Sequence, residues 1–178
     1  MGKSFDPAAL SLHFMHDSKC QVKIMEHIKA HLKGKVVILG IGNTLRNDDG
    51  LGSILAKRLK NKVPYIVYDS GANPENYLGK IIRDKPDNIV IIDAVDFGGK
   101  PGEFKVLEGQ DIETVNFFST HDASISLAIN YLQSSFKVDI IILSIQPKSV
   151  DFGEEISPEV LKTITELEQW FDGMQKKE

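Results

Sequence analysis

The sequence predicts an α/β protein: a single-domain, mainly parallel twisted sheet with helices on both faces, plus an N-terminal helical extension. Three observations carry this. Continuous apolar runs rich in β-branched residues recur at 36–42, 88–92 and 138–145, as in parallel strands covered on both faces. Segments with apolar residues at helical spacing lie between them, and such strand–helix alternation builds a parallel sheet flanked by helices. The 178 residues match one domain at roughly 150 residues per domain. No repeat, low-complexity tract or linker marks a second body. Residues 1–34 read as an arm and helix, and 35–178 as the α/β body.

In chain order, residues 1–16 are aperiodic and read as a loosely ordered arm. From Asp17 to Lys33, Cys20, Ile24, Met25, Ile28 and Leu32 recur at helical spacing, and Gly34 stops that helix. The first strand runs from Val36 to Gly42. A helix follows over 49–61 (Leu51, Ile54, Leu55, Leu59), then a strand at 64–68 ending at Asp69. A third helix fits 74–84, with Pro74 in its first turn. The apolar strand Asn88–Ile92 ends in Asp93, and the alternating segment 102–108 suits an edge strand. A helix over 122–134 carries Ile125, Ala128, Ile129 and Leu132 on one face. Strand 138–145 is again of the buried kind, and Ser157-Pro158 opens a terminal helix reaching Phe171.

Composition narrows the function. The chain is 42% hydrophobic and 26% charged, with a formal net charge of −4, so no general electrostatic attraction to nucleic acid or to anionic membranes is expected. No apolar run approaches the roughly 20 residues that span a bilayer, so no membrane insertion is expected. The N-terminus lacks an uninterrupted apolar segment of signal-peptide type, and the reading is cytoplasmic. The lone cysteine, Cys20, excludes an internal disulfide, a zinc ribbon and a Cys-x-x-Cys redox site. Its periodic position suggests that it packs against the body.

In open parallel sheets, ligands bind beyond the carboxyl ends of the strands. After the first strand comes Gly40-Ile41-Gly42-Asn43-Thr44-Leu45-Arg46-Asn47-Asp48-Asp49-Gly50. The glycine pair suggests a dinucleotide site, but Leu45 occupies the third glycine position and the loop is too long. Two carboxylates also stand where a phosphate would sit. One of them, Asp48 or Asp49, is expected to cap the following helix, with Asp48 the better candidate. Asp93 follows four apolar residues, and a carboxylate at a buried rim needs a hydrogen bond, a cation or a metal. Asp96, in the glycine-rich turn beyond it, serves as a turn residue.

His13, His16, His27 and His31 lie in the arm and first helix and read as solvated surface, whereas His121 opens a helix of the body. Asp49, Asp93 and His121 could converge at one end of the sheet. Two carboxylates and an imidazole suit a divalent metal with open positions. There is no His-Glu-x-x-His helix and no Gly-x-Ser-x-Gly elbow.

Four ordered blocks, GIGNTLRNDDGLG at 40–52, DSGANPEN at 69–76, IIDAVDFGGKPGEF at 91–104 and STHDASI at 119–125, resemble the nickel–iron hydrogenase maturation endopeptidases, as does the tail IQPKSVDFGEEISPEV at 145–160. The resemblance covers about 36–170 and leaves the N-terminal 34 residues uncovered. It implies a hydrolase that removes a short C-terminal peptide from the nickel-loaded precursor of a hydrogenase large subunit. By motif, Asp49, Asp93 and His121 fall on the family's nickel-recognising positions. Nickel would be supplied by the substrate, with no tightly held metal in the protein itself. Asp49 and Asp93 are also the candidates for a general base. Without metal, the two carboxylates should repel, and metal arrival would relieve that repulsion. A non-catalytic metal-binding or chaperone-like assembly protein on the same fold is the alternative.

Overall fold

The computed structural model describes residues 18–108 and 120–174, with the side chains of residues 18–20 and 122 outside the description. Its elements are α1 (Ser18–Ala30), β1 (Val36–Ile41), α2 (Leu51–Leu59), β2 (Ile66–Gly71), α3 (Leu78–Asp84), β3 (Asn88–Ala94), β4 (Phe104–Glu108), α4 (Asp122–Ser135), β5 (Asp139–Ile145) and α5 (Pro158–Gly173). One five-stranded sheet has the order β2-β1-β3-β5-β4. All pairs are parallel except β4 with β5. The expected fold class is therefore the observed one, with the alternating segment as the antiparallel edge strand.

The apolar strands are buried because both faces are covered. On one face, Ile38, Val90, Ile92 and Leu143 pack with Ile24 and Ile28 of α1, Leu51, Leu55 and Leu59 of α2, and Ile164, Leu167 and Phe171 of α5. On the other, Val37, Leu39, Ile91 and Ile142 pack with Ile81 of α3 and with Ile125, Ile129 and Leu132 of α4. Among the described residues no helix is long and apolar enough to cross a membrane.

Several boundaries differ from expectation. The helix expected at 49–61 is a 3-10 turn over Asn47–Gly50 followed by α2, and that expected at 74–84 is a 3-10 turn over Pro74–Tyr77 followed by α3. The first helix ends at Ala30 rather than Lys33, though Leu32 is buried as its periodicity implies. The second strand starts and ends later than expected, continuing through Asp69 to Gly71, because Gly40 and Ile41 still pair with Asp69 and Gly71. The arm at 1–16 and the packing of Cys20 lie outside the described residues.

Glycine sets the spacing between α2 and the sheet. A Cβ on Gly52 would stand 2.2 Å from the carbonyl oxygens of both Ile41 and Ile92, and one on Gly40 would stand 2.1 Å from that of Gly52. No side chain fits there. The start of α2 therefore presses directly on the ends of β1 and β3.

The far end of α2 is joined to α5 by charge. Glu168 accepts from Lys62 Nζ at 2.5 Å and from Arg58 Nη1 at 3.3 Å. The hydrogen bond from Lys62 holds the Glu168 carboxyl below its usual pKa, more than burial raises it. A depressed folded-state pKa stabilises the fold above the unfolded carboxylate's ordinary value, and that contribution is lost as pH falls through the lowered folded value. Glu168→Gln should cost about 0.5 kcal/mol at neutral pH in low salt. The difference from the parent protein should vanish in acid, as urea melts across pH would register.

Candidate active site at the switch between β1 and β3

From β1 the sheet grows one way to β2 and the other way through β3, so the chain diverges between the carboxyl ends of β1 and β3. The three residues singled out by sequence meet there. Asp49 lies in the 3-10 turn that follows β1, Asp93 is the penultimate residue of β3, and His121 is the N-cap position of α4. Their exposures are 1%, 0% and 7%. Asp93 lies inside the strand rather than closing it, paired in register with Ser144 of β5.

The imidazole of His121 stands between the carboxylates. Its Nδ1 is 3.3 Å from Asp93 Oδ1 and its Nε2 is 3.9 Å from Asp49 Oδ2. Burial lowers the His121 pKa, but the hydrogen bond to Asp93 and the charges of Asp93 and Asp49 outweigh burial and the opposing charge of Arg46, so the net effect is to raise it. An imidazole whose protonated form both carboxylates stabilise therefore stands between the pair expected to repel each other. Because the carboxylates face different nitrogens, the three side chains do not aim one donor atom each at a common point. Chelation of one ion by all three would require the ring to turn.

Asp49 is held by both oxygens. Oδ1 accepts from Thr120 Oγ1 at 2.5 Å and Oδ2 from the Asn43 amide at 3.1 Å. Thr120 Oγ1 is also 3.1 Å from His121 Nδ1. Thr120 was not singled out by sequence; its place directly before His121 was the available signal.

The expectation that Asp48 caps the helix is not met. No side chain makes a capping hydrogen bond to the 3-10 turn or to α2, whose flanking positions are Arg46 and Gly50. Asp48 is fully buried, and its carboxylate points away from the helix start to collect donors from the segment after β5. Oδ2 accepts from the amides of Lys148 at 2.8 Å and Ser149 at 3.2 Å and from Ser157 Oγ at 2.8 Å. Oδ1 accepts from the Ser157 amide at 2.7 Å. The Asn47 amide donates to the Gly153 carbonyl at 2.7 Å, and Arg46 Nε to the Val150 carbonyl at 3.0 Å. The two neighbouring aspartates therefore have different tasks: Asp48 fastens the loop and Asp49 faces the site.

Gln146 fixes the other rim, a role that sequence reasoning missed. Its Oε1 accepts from the amides of Phe97 and Gly99, and its Nε2 donates to Asp96 Oδ1. Asp96 also accepts from the Gly98 amide, the main cause of its lowered pKa, and is the turn residue expected.

A buried carboxylate–imidazole–carboxylate array thus stands at the switch point of a doubly covered α/β sheet, the candidate site of the fold. A profile of the hydrogenase maturation protease (HycI) family matches residues 50–171. The hydrogenase 3 maturation protease of Escherichia coli K12 is 32% identical over 142 residues, covering 77% of this chain and 88% of that one. A putative hydrogenase maturation protease of Methanocaldococcus jannaschii is 35% identical over 130 residues, covering 66% and 75%. The crystal structure of a [NiFe] hydrogenase maturation protease HycI from Thermococcus kodakarensis superposes with a TM-score of 0.70 at 31% identity, covering 82% of this chain and 95% of that one. The chain belongs to the hydrogenase maturation protease family. It is an endopeptidase, and hence a hydrolase.

Thr120→Val should lower kcat/KM of this peptidase about tenfold, since a hydrogen bond to a charged group contributes about 1.5–3 kcal/mol and other contacts still hold Asp49. Thr120→Ser should restore most of the rate. Steady-state cleavage assays on the three proteins measure both.

Proposed function

We propose that this enzyme removes a short C-terminal peptide from the precursor of a nickel–iron hydrogenase large subunit once nickel has been installed. The observation that carries the reading is the convergence of Asp49, Asp93 and His121 at the carboxyl ends of β1 and β3, all three buried. Imidazole and carboxylate donors suit a borderline divalent ion such as nickel. The nickel is part of the substrate and arrives with it; the three side chains complete its coordination and so dock the precursor. The site needs no tightly held metal of its own.

The chain's residues then have distinct tasks. Asn43 and Thr120 hold the Asp49 carboxylate in one orientation before substrate arrives, which lowers the entropy lost on docking. His121 must turn a nitrogen lone pair toward the incoming ion, and a proton carried on that nitrogen would be released on binding. Asp49 and Asp93 are the carboxylates within reach of the bound segment, and either can accept the proton of the attacking water.

The test is mass spectrometry of the precursor's C-terminus with and without this protein, on nickel-loaded and nickel-free precursor. Loss of a C-terminal fragment from the nickel-loaded form alone is the expected result. An unchanged mass in both forms, with the two proteins nevertheless associating, would indicate a non-catalytic assembly factor.

A further inference from the structure

A second cluster of side chains able to ligate a metal lies where the N-terminal extension meets the edge strand β4. Within the described residues, one group of three His, Cys, Asp or Glu side chains offers ligand atoms all within 4.8 Å of one another, and it is His27, His31 and Glu108. His27 and His31 were expected at the solvated surface. They are instead half-buried, with side chains 20% exposed. His27 lies in the last turn of α1 and His31 in the turn that directly follows it, with ring centroids 5.0 Å from each other. Glu108, the last residue of the edge strand β4, reaches both.

The donor geometry points to a cation. His31 Nδ1 lies 3.1 Å from the backbone carbonyl of His27, an acceptor that fixes the proton on Nδ1 and leaves the lone pair of the neutral ring on Nε2. That Nε2 is 3.4 Å from Glu108 Oε1. His27 Nε2 contacts the same carboxylate oxygen. Two imidazole nitrogens and an anionic oxygen thus converge on one point, and positive charge must lie among them, as protons or as a metal ion. A ring nitrogen already oriented by a backbone carbonyl is the usual outer support of a metal-bound histidine.

We propose that His27, His31 and Glu108 form a binding site for a divalent first-row transition ion, zinc by the character of the ligand set. Two histidines and a glutamate with a fourth position open to water make a tetrahedral zinc site, with ligand distances of about 2.0–2.2 Å. Closing to those distances requires only small movements of side chains that already face one another. The ion would fasten the end of α1 to the end of β4. Two of its three ligands precede the residues 50–171 that the family profile matches, and the third, Glu108, lies within them.

Cobalt(II) is the spectroscopic probe and zinc the competitor. Titration of the full chain at pH 7.5 should give one equivalent of cobalt with visible absorption bands of tetrahedral intensity, displaced by one equivalent of zinc. The bands should disappear in His27→Gln/His31→Gln and persist in His121→Ala. Zinc should raise the parent protein's Tm by several degrees and leave that of the double variant unchanged. If the double variant does not fold by circular dichroism, Glu108→Gln provides the same comparison and should weaken cobalt binding at least tenfold. Bands absent from the parent protein, retained in the double variant, or lost in His121→Ala would overturn the proposal. Because the readout is metal binding rather than cleavage, its failure leaves the reading of the catalytic site intact.

Discussion

Asp49→Asn should give a folded protein whose processing rate falls by about 10²–10⁴, the range lost with a positioned acid–base group. The fold survives because the surroundings accept an amide. The Asn43 amide can still donate to the side-chain oxygen, and the Thr120 hydroxyl, which now donates to Oδ1 at 2.5 Å, can rotate and accept from the new NH2 group. Activity does not survive, because a neutral amide is a far poorer metal ligand than a carboxylate and cannot take a proton from water. Asp93→Asn and His121→Ala should lose processing alike. Cleavage of nickel-loaded precursor, with circular dichroism as the folding control, measures the set. Full activity in Asp49→Asn would remove this loop from the site.

Asp48→Asn, one residue away, should do the reverse: it should lower Tm by about 5–15 °C while leaving the catalytic groups in place. Three of the four donors on the Asp48 carboxylate are backbone amides, and these cannot become acceptors. Either orientation of an asparagine amide sets an N–H against at least one of them in a buried setting. Leaving such groups unsatisfied costs about 1–3 kcal/mol each, and a chain of this size loses about 2–4 °C per kcal/mol. Thermal melts of Asp48→Asn and Asp49→Asn, run together, should separate the pair. Well below its Tm, Asp48→Asn should still cleave. A helix cap at position 48 would instead have tolerated asparagine.

What could be read without coordinates depended on the distance over which each residue finds its partners. The strands around Val37, Val90 and Ile141 were legible because β-branched runs reflect burial on both faces, a property each segment carries by itself. The need of Asp93 for a buried partner was legible because a carboxylate after such a run cannot stay solvated, and His121 stands 3.3 Å from it. Asp48 was misread because its partners lie 100 and 109 residues further along, so only the adjacent helix was available to account for it. His27 was misread in the same way, its carboxylate partner being 81 residues distant. Helix starts moved by two and four residues where Asn47 and Pro74 begin 3-10 segments, whose short-range hydrogen bonding leaves no distinct hydrophobic period.

The fastening of Asp48 to Lys148, Ser149 and Ser157 also bears on when the enzyme becomes competent during its synthesis. Strands β1 and β3 and the aspartates they present are made early. The carboxylate that locks the loop beside Asp49 must wait for partners 100 residues behind it in the chain. At translation rates of about 5–20 residues per second, that delay is on the order of 5–20 seconds. Throughout it the nascent chain carries a buried-type carboxylate with no amides to receive it. The loop that carries Asp48 and Asp49 therefore reaches its final shape only after the segment at 148–157 has left the ribosome, so if Asp49 serves the reaction as proposed, proteolytic competence comes late in the chain's own biogenesis.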